Sequence, residues 1–296
     1  MKIFYFVRTK LHEYPPCLTQ LFYLKDLGHD VTVYYGDCAE VTRLHLEAHG
    51  VRCVDLNIRR SRNRKIGKLQ SYLQYRTTAL RILKKKYRDG DLVWFGTADS
   101  GFSLLGKLKS YRFVLTVLEL YDRNRFYRKG VEAIIHDAAA VIACEDTRAQ
   151  IMKSWWNLQQ RPFVMPNKPY AHPRQRNMVG TTETTRRMID AIRGKKVLLY
   201  QGIISADRDL GCIARALADM DSDITLALMG REFYNGVEKV RQIYQNTVYL
   251  GMAPAPTHLE VTSHATVGIA NYDDSSLNNL FCAPNKIYEY TGFGIP

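Results

Sequence analysis

A proline, a lysine and a glutamate stand close together in the stretch PNKIYEYTGFGIP, residues 284–296. Pro284 favours the start of a helix, which Asn285 and Lys286 would then open. Glu289 follows Lys286 by three positions and therefore lies on the same helical face. The amides of a helix start attract phosphate, and a neighbouring carboxylate is a good acceptor for a ribose diol. The alternative is an exposed ion pair between Lys286 and Glu289.

Two further loops have the composition of anion-binding or ring-binding loops. In LLYQGIISADRDL (198–210), Gly202 ends an apolar run, and Arg208 follows six residues later near the next helix. Free amides and a guanidinium suit a diphosphate, although many such loops contain only a tight turn and a salt-bridged arginine. In LALMGRE (226–232), Gly230 would let a flat ring approach the backbone, or would simply make a tight turn.

Motifs of other reactions are missing from the sequence. It contains no GxSxG, HExxH or GxxxxGK[ST], and His258 and His264 flank a helix-like stretch without metal-ligating neighbours. The six cysteines are scattered without CxxC spacing, which indicates reduced thiols of a cytoplasmic protein. We therefore expect neither a metal site nor a cofactor.

Positive charge is concentrated in one segment of a chain whose net charge is +13. From Leu56 to Arg88 there are twelve lysines and arginines and no acidic residue, and the amphipathic stretch between the basic ends would supply an apolar face. The segment is either a solvated basic helix or a surface for anions. Nucleic acid ranks below an anionic membrane or a phosphate-bearing substrate, because no nucleic-acid-binding motif accompanies the charge. The residues predicted for an acceptor or membrane surface are Arg59, Arg60, Arg62, Arg64, Lys65, Lys84, Lys85 and Lys86.

Short apolar runs, separated by helix-length segments, must position these loops. They include IFYFV (3–7), VTVYY (31–35), LVWFG (92–96), KVLLYQG (196–202) and ITLALMG (224–230). Near-continuous apolar strands are typical of a parallel sheet covered on both faces, and their alternation with helices predicts βαβ units. The predicted fold class is α/β with two doubly wound parallel sheets, whose ligands bind beyond the carboxyl ends of the strands.

The apolar runs are interrupted by KPYAHPRQRNMVGTTETTRRMIDAIRGK (168–195), which contains two prolines and few apolar residues before its last turn. This composition predicts a linker with a short helix. The predicted division is a first domain over 1–170, a linker over 171–194 and a second domain over 195–296.

Six segments, in the same order along the chain, resemble glycosyltransferases of the GT-B architecture, and specifically the retaining family 4. The phosphate loop of that family is similar to LLYQGIISADRDL, with Arg208 at a lysine position, and its PnKlfEyla.G.P segment is similar to PNKIYEYTGFGIP. The other four segments are GHDVTVYYGD (28–37), VEAIIHDAAAVIACEDTRAQIM (131–152), FVMPNKP (163–169) and VYLGMAPAPTHLEVTSHATVGIAN (248–271).

The resemblance implies two Rossmann-like domains, a nucleoside-diphosphate sugar as donor, and retention of the anomeric configuration. It implies that Arg208 and Lys286 stabilise the leaving diphosphate, that Glu289 orients the ribose and that Gly230 lies beside the base. The donor-binding residues would further include Gly202, Asn278, Asn279 and Asn285.

The sequence departs from the family at several positions, and two of these departures concern side chains expected at the site. The family's second carboxylate, eight residues before Glu289, is replaced by Phe281, with Asn278 nearby. A histidine of the family's first domain would fall on Leu118, next to Glu119, which leaves a catalytic side chain of that domain unassigned. Because the family continues beyond its G.P segment, the resemblance also implies a second domain that is truncated here.

The sequence thus predicts a cytoplasmic glycosyltransferase of polysaccharide biosynthesis that uses a glycan or a lipid-phosphate acceptor. Peripheral attachment to the inner face of the membrane is a further expectation, and nucleic acid is not expected as a partner. Two alternatives stay open: a sugar-nucleotide epimerase of the same architecture, and a non-catalytic fragment that binds a membrane surface.

Overall fold

The computed structural model describes residues 1–58, 64–205, 210–220 and 223–296, apart from the side chains of residues 64–66. It divides into two compact units, Met1–Pro166 and Asn167–Pro296. None of the helices within these described ranges is both long enough and apolar enough to cross a membrane.

The first unit contains a seven-stranded parallel sheet with the strand order β3-β2-β1-β4-β5-β6-β7. The order reverses between β1 and β4, which creates a crevice at their carboxyl ends. The residues Ile3–Val7 of β1 are fully buried, as expected for a strand covered on both faces. The strands are β1 (Lys2–Lys10), β2 (Asp30–Asp37), β3 (Arg52–Asp55), β4 (Leu92–Phe95), β5 (Phe113–Val117), β6 (Ala140–Ala143) and β7 (Phe163–Val164).

Within the described residues of this unit, six α-helices and one short 3-10 helix (Leu11–Glu13) connect the strands. The longest, α3 (Arg64–Lys86), turns Ser71, Tyr75, Ala79 and Leu83 into the interior at a spacing of four residues. The others are α1 (Pro15–Asp26), α2 (Glu40–Ala48), α4 (Ala98–Phe102), α5 (Arg125–Ile135) and α6 (Asp146–Trp155).

The second unit contains a four-stranded parallel sheet with the order β10-β9-β8-β11. Its strands are β8 (Val197–Gln201), β9 (Thr225–Met229), β10 (Thr247–Gly251) and β11 (Val267–Ile269). Its helices are α7 (Glu183–Ile192), α8 (Leu210–Asp219), α9 (Gly236–Ile243), α10 (His258–Thr262), α11 (Leu277–Leu280) and α12 (Asn285–Gly292).

Both faces of this second sheet are covered by helices. On one face Leu199 packs with residues of α7, α10 and α12, and on the other face Tyr200 packs with residues of α8 and α9. Successive residues of β8 therefore point to opposite cores, as the pleat of a strand requires. The predicted α/β class with two doubly wound parallel sheets is confirmed.

The segment predicted as a linker contains α7. This helix begins at a threonine cap, Thr182, and buries Met188, Ile189 and Ile192 in the core of the second unit. The division between the two units falls after Pro166, four residues before the end of the predicted first domain.

Candidate functional site

Glycines at the carboxyl ends of two neighbouring strands lie against each other in the second unit. Gly202 follows β8 with φ +132°, and Gly230 follows β9 with φ +147°, backbone conformations that favour glycine. The Gly202 amide donates to the Met229 carbonyl at 2.9 Å, and a Cβ placed on Gly230 would overlap the Gly202 carbonyl. Gly230 is thus needed for a close approach between two strand ends, while its place beside a base stays a prediction.

Lys286, in the first turn of α12, lies directly beside Gly202. Its side chain is 6% exposed, and its Nζ lies 3.4 Å from the position that a Cβ on Gly202 would occupy. Nζ also lies 4.0 Å from the ring centre of Tyr200 and 5.2 Å from that of Tyr272. The fold therefore places an ammonium group, attracted by two aromatic faces, at the end of β8.

Glu289 lies one helical turn later and is 3% exposed. Its Oε2 accepts a hydrogen bond from Nε2 of Gln201, the last residue of β8, and its Oε1 lies 3.0 Å from Nε2 of His258. Thr262 donates to Oε1 of Gln201 at 2.7 Å, which fixes the orientation of that amide. The alternative of an exposed ion pair between Lys286 and Glu289 is wrong, because both side chains are buried.

Gln201 and His258 are the neighbours of Glu289 that sequence reasoning missed. Gln201 directly precedes Gly202, so its place at a strand end was a usable signal. His258 was interpreted as a histidine without a metal-ligating partner, and nothing local in the sequence indicates its contact with a carboxylate 31 positions away. Its Nδ1 is buried and has no hydrogen-bond partner among the described residues.

Two rings anchor the helix α12 that carries these side chains. The Tyr290 hydroxyl donates to the Leu199 carbonyl at 3.0 Å and accepts from the backbone N–H of Gln201 at 3.2 Å. Burial raises the pKa of Tyr290 well above its ordinary 10.0, so this hydroxyl keeps its proton. His172 holds the other side of the helix, with Nε2 2.9 Å from the Glu289 carbonyl and Nδ1 accepting from the Arg174 amide at 3.0 Å.

The other predicted donor residues lie near the start of α12 or outside the described residues. Asn285 is the first residue of α12, and Asn278 and Asn279 lie on α11. The Asn279 side chain donates to Asp273 at 2.8 Å, in the same loop that brings Tyr272 to Lys286. Arg208 lies outside the described residues, so its contact with a diphosphate stays a prediction.

Part of the predicted basic surface is described in the first unit. Lys84, Lys85 and Lys86 are exposed at the end of α3. Arg64 and Lys65 begin that helix, but their side chains lie outside the described part of the chain, as do Arg59, Arg60 and Arg62 entirely.

The crevice at the carboxyl ends of β1 and β4 contains a buried ion pair. Arg8 and Asp99 are 5% and 4% exposed and form a salt bridge at 2.6 Å. The Arg8 guanidinium stacks 3.8 Å from the ring centre of Tyr72, and the Arg8 amide donates to the Ser100 hydroxyl at 2.8 Å. Glu119, beyond β5, is half exposed and lies 3.8 Å from Arg148.

Across the described ranges, no group of three or more His, Cys, Asp or Glu side chains is arranged to hold a metal ion.

No protein-family profile matches this sequence, and no curated protein matches it either. Solved structures do. A glycosyltransferase from Rickettsia africae is 15% identical, with a TM-score of 0.58 over 91% of this chain and 72% of that one. Alr3699/HepE of Anabaena, solved in complex with UDP and glucose, is 13% identical, with a TM-score of 0.65 over 100% of this chain and 79% of that one. A UDP-GlcNAc 2-epimerase from Neisseria meningitidis, bound to UDP-GlcNAc, is 10% identical, with a TM-score of 0.60 over 90% of this chain and 76% of that one.

At these identities the similarity shows the fold. The seven-stranded and four-stranded sheets match the two Rossmann-like domains of GT-B proteins. Membership of family 4 and the truncation of the second domain stay predictions.

Proposed function

We propose that this protein is a glycosyltransferase that takes a sugar from a nucleoside-diphosphate donor. The observation that carries the proposal is the meeting of Gly202, Lys286 and Glu289 at the carboxyl edge of the second sheet. A cation beside a glycine loop and a fixed carboxylate one helical turn away suit a diphosphate and a ribose. Similar structures include HepE, solved with UDP and glucose, and the Rickettsia glycosyltransferase.

Lys286 would act on the leaving group. Transfer breaks the bond between the anomeric carbon and the diphosphate, forms a bond to an acceptor hydroxyl oxygen and releases the hydroxyl proton. The electron pair goes to the diphosphate, so negative charge grows there in the transition state. The Lys286 ammonium, the first amides of α12 and the backbone after Gly202 would stabilise that charge without a metal, joined by Arg208.

Glu289 would bind the ribose. A carboxylate offers about four acceptor positions, and Gln201 and His258 use one on each oxygen. In this proposal, the remaining lone pairs would accept hydrogen bonds from the two ribose hydroxyls. Because both oxygens are held from the protein side, the carboxylate is already oriented before the donor binds, which lowers the entropic cost of binding.

The acceptor would bind at the carboxyl edge of the first unit, where the strand order reverses. A glycan or a lipid-phosphate acceptor, retention of configuration and action in the cytoplasm are parts of the proposal that the resemblance implies.

Calorimetric titration with a nucleoside diphosphate and with inorganic diphosphate tests the two roles separately. Lys286→Met should weaken binding of both ligands by about 1.5–3 kcal/mol, the scale of a charge-assisted hydrogen bond. Glu289→Gln should weaken only the nucleoside diphosphate, because inorganic diphosphate has no ribose. Equal losses for both ligands in Glu289→Gln would remove the ribose assignment, and unchanged affinities in Lys286→Met would remove the diphosphate assignment.

The epimerase alternative keeps the same donor site. It is favoured by one observation, the similarity to a UDP-GlcNAc 2-epimerase bound to UDP-GlcNAc. Incubation of the protein with labelled sugar nucleotides, with and without glycan acceptors, separates the two functions. A transferase gives a labelled acceptor and a free nucleoside diphosphate, whereas an epimerase gives an isomerised sugar without an acceptor. Donor binding with neither product would favour the non-catalytic alternative.

A further inference from the structure

A groove of the first unit lies at the edge of the sheet that is opposite the crevice. Helix α3 ends just before β4, the loop of residues 103–111 leads into β5, and α5 ends just before β6. In a parallel sheet these three connections meet at the amino ends of the strands. They line a groove of about 730 Å³, a volume within the range of ligand pockets.

Four cations line this groove. Arg81 and Lys84 come from α3, and Lys107 and Lys109 come from the loop before β5. All four residues are exposed, and none forms a salt bridge within the described part of the chain. Several other exposed arginines of the same unit do contact a carboxylate. The groove therefore concentrates positive charge that the first unit does not neutralise.

The helix dipole does not account for this charge. A lysine in the last turn of a helix, such as Lys84, is common because it complements the dipole, but Lys107 and Lys109 lie on a loop. Asp137, after the end of α5, is the one acidic residue among the described residues that line the groove. Four cations against one carboxylate leave the lining positive, and positive charge in a recess attracts anions.

The rest of the lining combines apolar and hydroxyl groups. Leu105 is 47% exposed, and Thr77 and Ser110 offer exposed hydroxyls. The ring of Tyr111 is held perpendicular to that of Tyr87, with the ring centres 5.1 Å apart. A sugar presents C–H groups on the faces of its ring and hydroxyl groups around its rim, so it can contact both kinds of group. A free phosphate ion has no apolar surface to bury there.

We propose that this groove binds a segment of an acidic glycan, a chain of sugar rings that carries carboxylate or phosphate groups. The cations of α3 and those of the loop would contact successive anionic groups of the chain. The apolar and hydroxyl groups between them would contact the rings. The surface of a bilayer has a suitable charge but is too flat to fill a recess of this volume.

The choice of a glycan as the ligand rests on the proposed transferase function, whereas the groove and its charge do not. Strand β5 has five residues, so the groove and the acceptor edge lie about 17 Å apart along the strand direction. A long chain bound in the groove would stay on the protein while its end is extended at the other edge.

Calorimetric titration of the full chain with tetragalacturonate tests the proposal, with an excess of a nucleoside diphosphate present to occupy the donor site. Maltotetraose has four rings without charge, and tetraglutamate has four side-chain carboxylates without sugar. Tetragalacturonate should bind more tightly than either, and added salt should weaken its binding because the charges are exposed. Equal affinity for tetraglutamate would overturn the glycan and indicate an acidic peptide. No binding of tetragalacturonate would overturn the proposal.

Two double variants remove the cations of the two elements separately. Arg81→Gln with Lys84→Gln, and Lys107→Gln with Lys109→Gln, should each weaken tetragalacturonate binding by about tenfold, since each exposed ion pair contributes up to roughly fivefold. Asp137→Asn should strengthen binding by about two- to threefold, because it removes a repelling carboxylate. A loss in only one of the two double variants would contradict a ligand that contacts both elements.

The matched control is Lys85→Gln with Lys86→Gln. It removes the same charge from exposed residues of α3 that do not line the groove. Binding should weaken by less than about twofold, because solvent and salt screen charges outside the groove. A loss as large as that of the groove variants would assign the probe to a diffuse positive surface.

Acetylation with acetic anhydride, measured by mass spectrometry, tests the site without any variant. Tetragalacturonate should protect Lys84, Lys107 and Lys109 and leave Lys85 and Lys86 reactive. Uniform protection of all five lysines would contradict the groove. Stronger protection of the groove lysines by phosphatidylglycerol vesicles would overturn the glycan in favour of a lipid surface.

The groove variants lie in the first unit, away from the donor residues of the second. Their affinity for a nucleoside diphosphate should therefore equal that of the wild type. Loss of tetragalacturonate binding with intact nucleotide binding, or the reverse, distinguishes a failure of this proposal from a failure of the proposed function.

Discussion

Each unit buries a cation at the carboxyl edge of its sheet, but the two cations have different neighbours. Arg8, at the end of β1, is held by the Asp99 carboxylate at 2.6 Å. Lys286, at the start of α12, lies over the rings of Tyr200 and Tyr272. Both side chains are about 5% exposed, so burial alone does not distinguish them.

The difference lies in what each neighbour does to the charge. A carboxylate neutralises the guanidinium, so the Arg8–Asp99 pair carries no net charge. Removing one partner leaves the other buried without its counter-charge. An aromatic face attracts an ammonium through the quadrupole of its ring. Because Lys286 also lies beside Gly202 at a strand end, we expect Arg8 to matter for stability and Lys286 to matter for anion binding.

We expect the largest effect when the Arg8–Asp99 pair of the first unit is broken. Asp99→Asn should lower the free energy of unfolding by about 3 kcal/mol, because Arg8 would stay buried without its counter-charge. Lys286→Met, which keeps the length of the side chain, should lower it by less than about 1 kcal/mol. Urea denaturation of both variants measures the contrast.

A double variant sharpens this first prediction. Arg8→Met combined with Asp99→Leu removes both charges and should be less destabilising than Asp99→Asn alone. A double variant as unstable as the single one would mean that packing, not charge, accounts for the loss.

The second prediction concerns the contact between two strand ends in the second unit. Gly230→Ala should lower the free energy of unfolding by about 2–3 kcal/mol, because the new Cβ is strained at φ +147° and overlaps the Gly202 carbonyl. Gly251→Ala is the matched control, since its φ of +88° is also unfavourable but its Cβ would meet only the Met188 methyl at 3.7 Å. Equal losses in urea denaturation would show that backbone strain accounts for the whole effect.

The third prediction tests the link between His258 and Glu289. His258→Leu should lower the free energy of unfolding by about 1–2 kcal/mol, because a buried carboxylate loses one of its hydrogen-bond donors. His258→Leu should cost less in a protein that already carries Glu289→Gln than in the wild type. The difference should give a coupling of about 1 kcal/mol in a double-mutant cycle. Strictly additive losses would mean that the two side chains do not stabilise each other.

The smallest expected effect is a dependence of stability on pH. Burial lowers the pKa of His172 from its ordinary 6.5. The unfolded chain therefore takes up a proton at this residue before the folded chain does as the pH falls, so the stabilisation is complete above about 6.5 and declines below it. His172→Gln should show a shallower loss of unfolding free energy between pH 7.5 and 5 than the wild type, by urea denaturation. Parallel pH curves for the two proteins would contradict the prediction.

The fold class could be predicted from the sequence because it depends on the local pattern of apolar residues. Apolar runs such as IFYFV and KVLLYQG need burial on both faces, and alternating helices supply the cover. These runs became β1 and β8, in parallel sheets with the predicted class. Glycines after strand ends and a proline before α12 are local signals too, so Gly202, Gly230, Lys286 and Glu289 could be named as candidates without a structure.

What surrounds these residues was decided by the tertiary structure. Glu289 meets Gln201 from 88 positions earlier and His258 from 31 positions earlier, because β8, α10 and α12 share one core. The same holds for α3, whose sequence shows an apolar face but not what covers it. The core of the first unit covers Tyr75, Ala79 and Leu83 and leaves Leu69 and Leu73 exposed. The contacts of a side chain with residues far along the chain follow from strand order and helix packing, and no local pattern of residues encodes them.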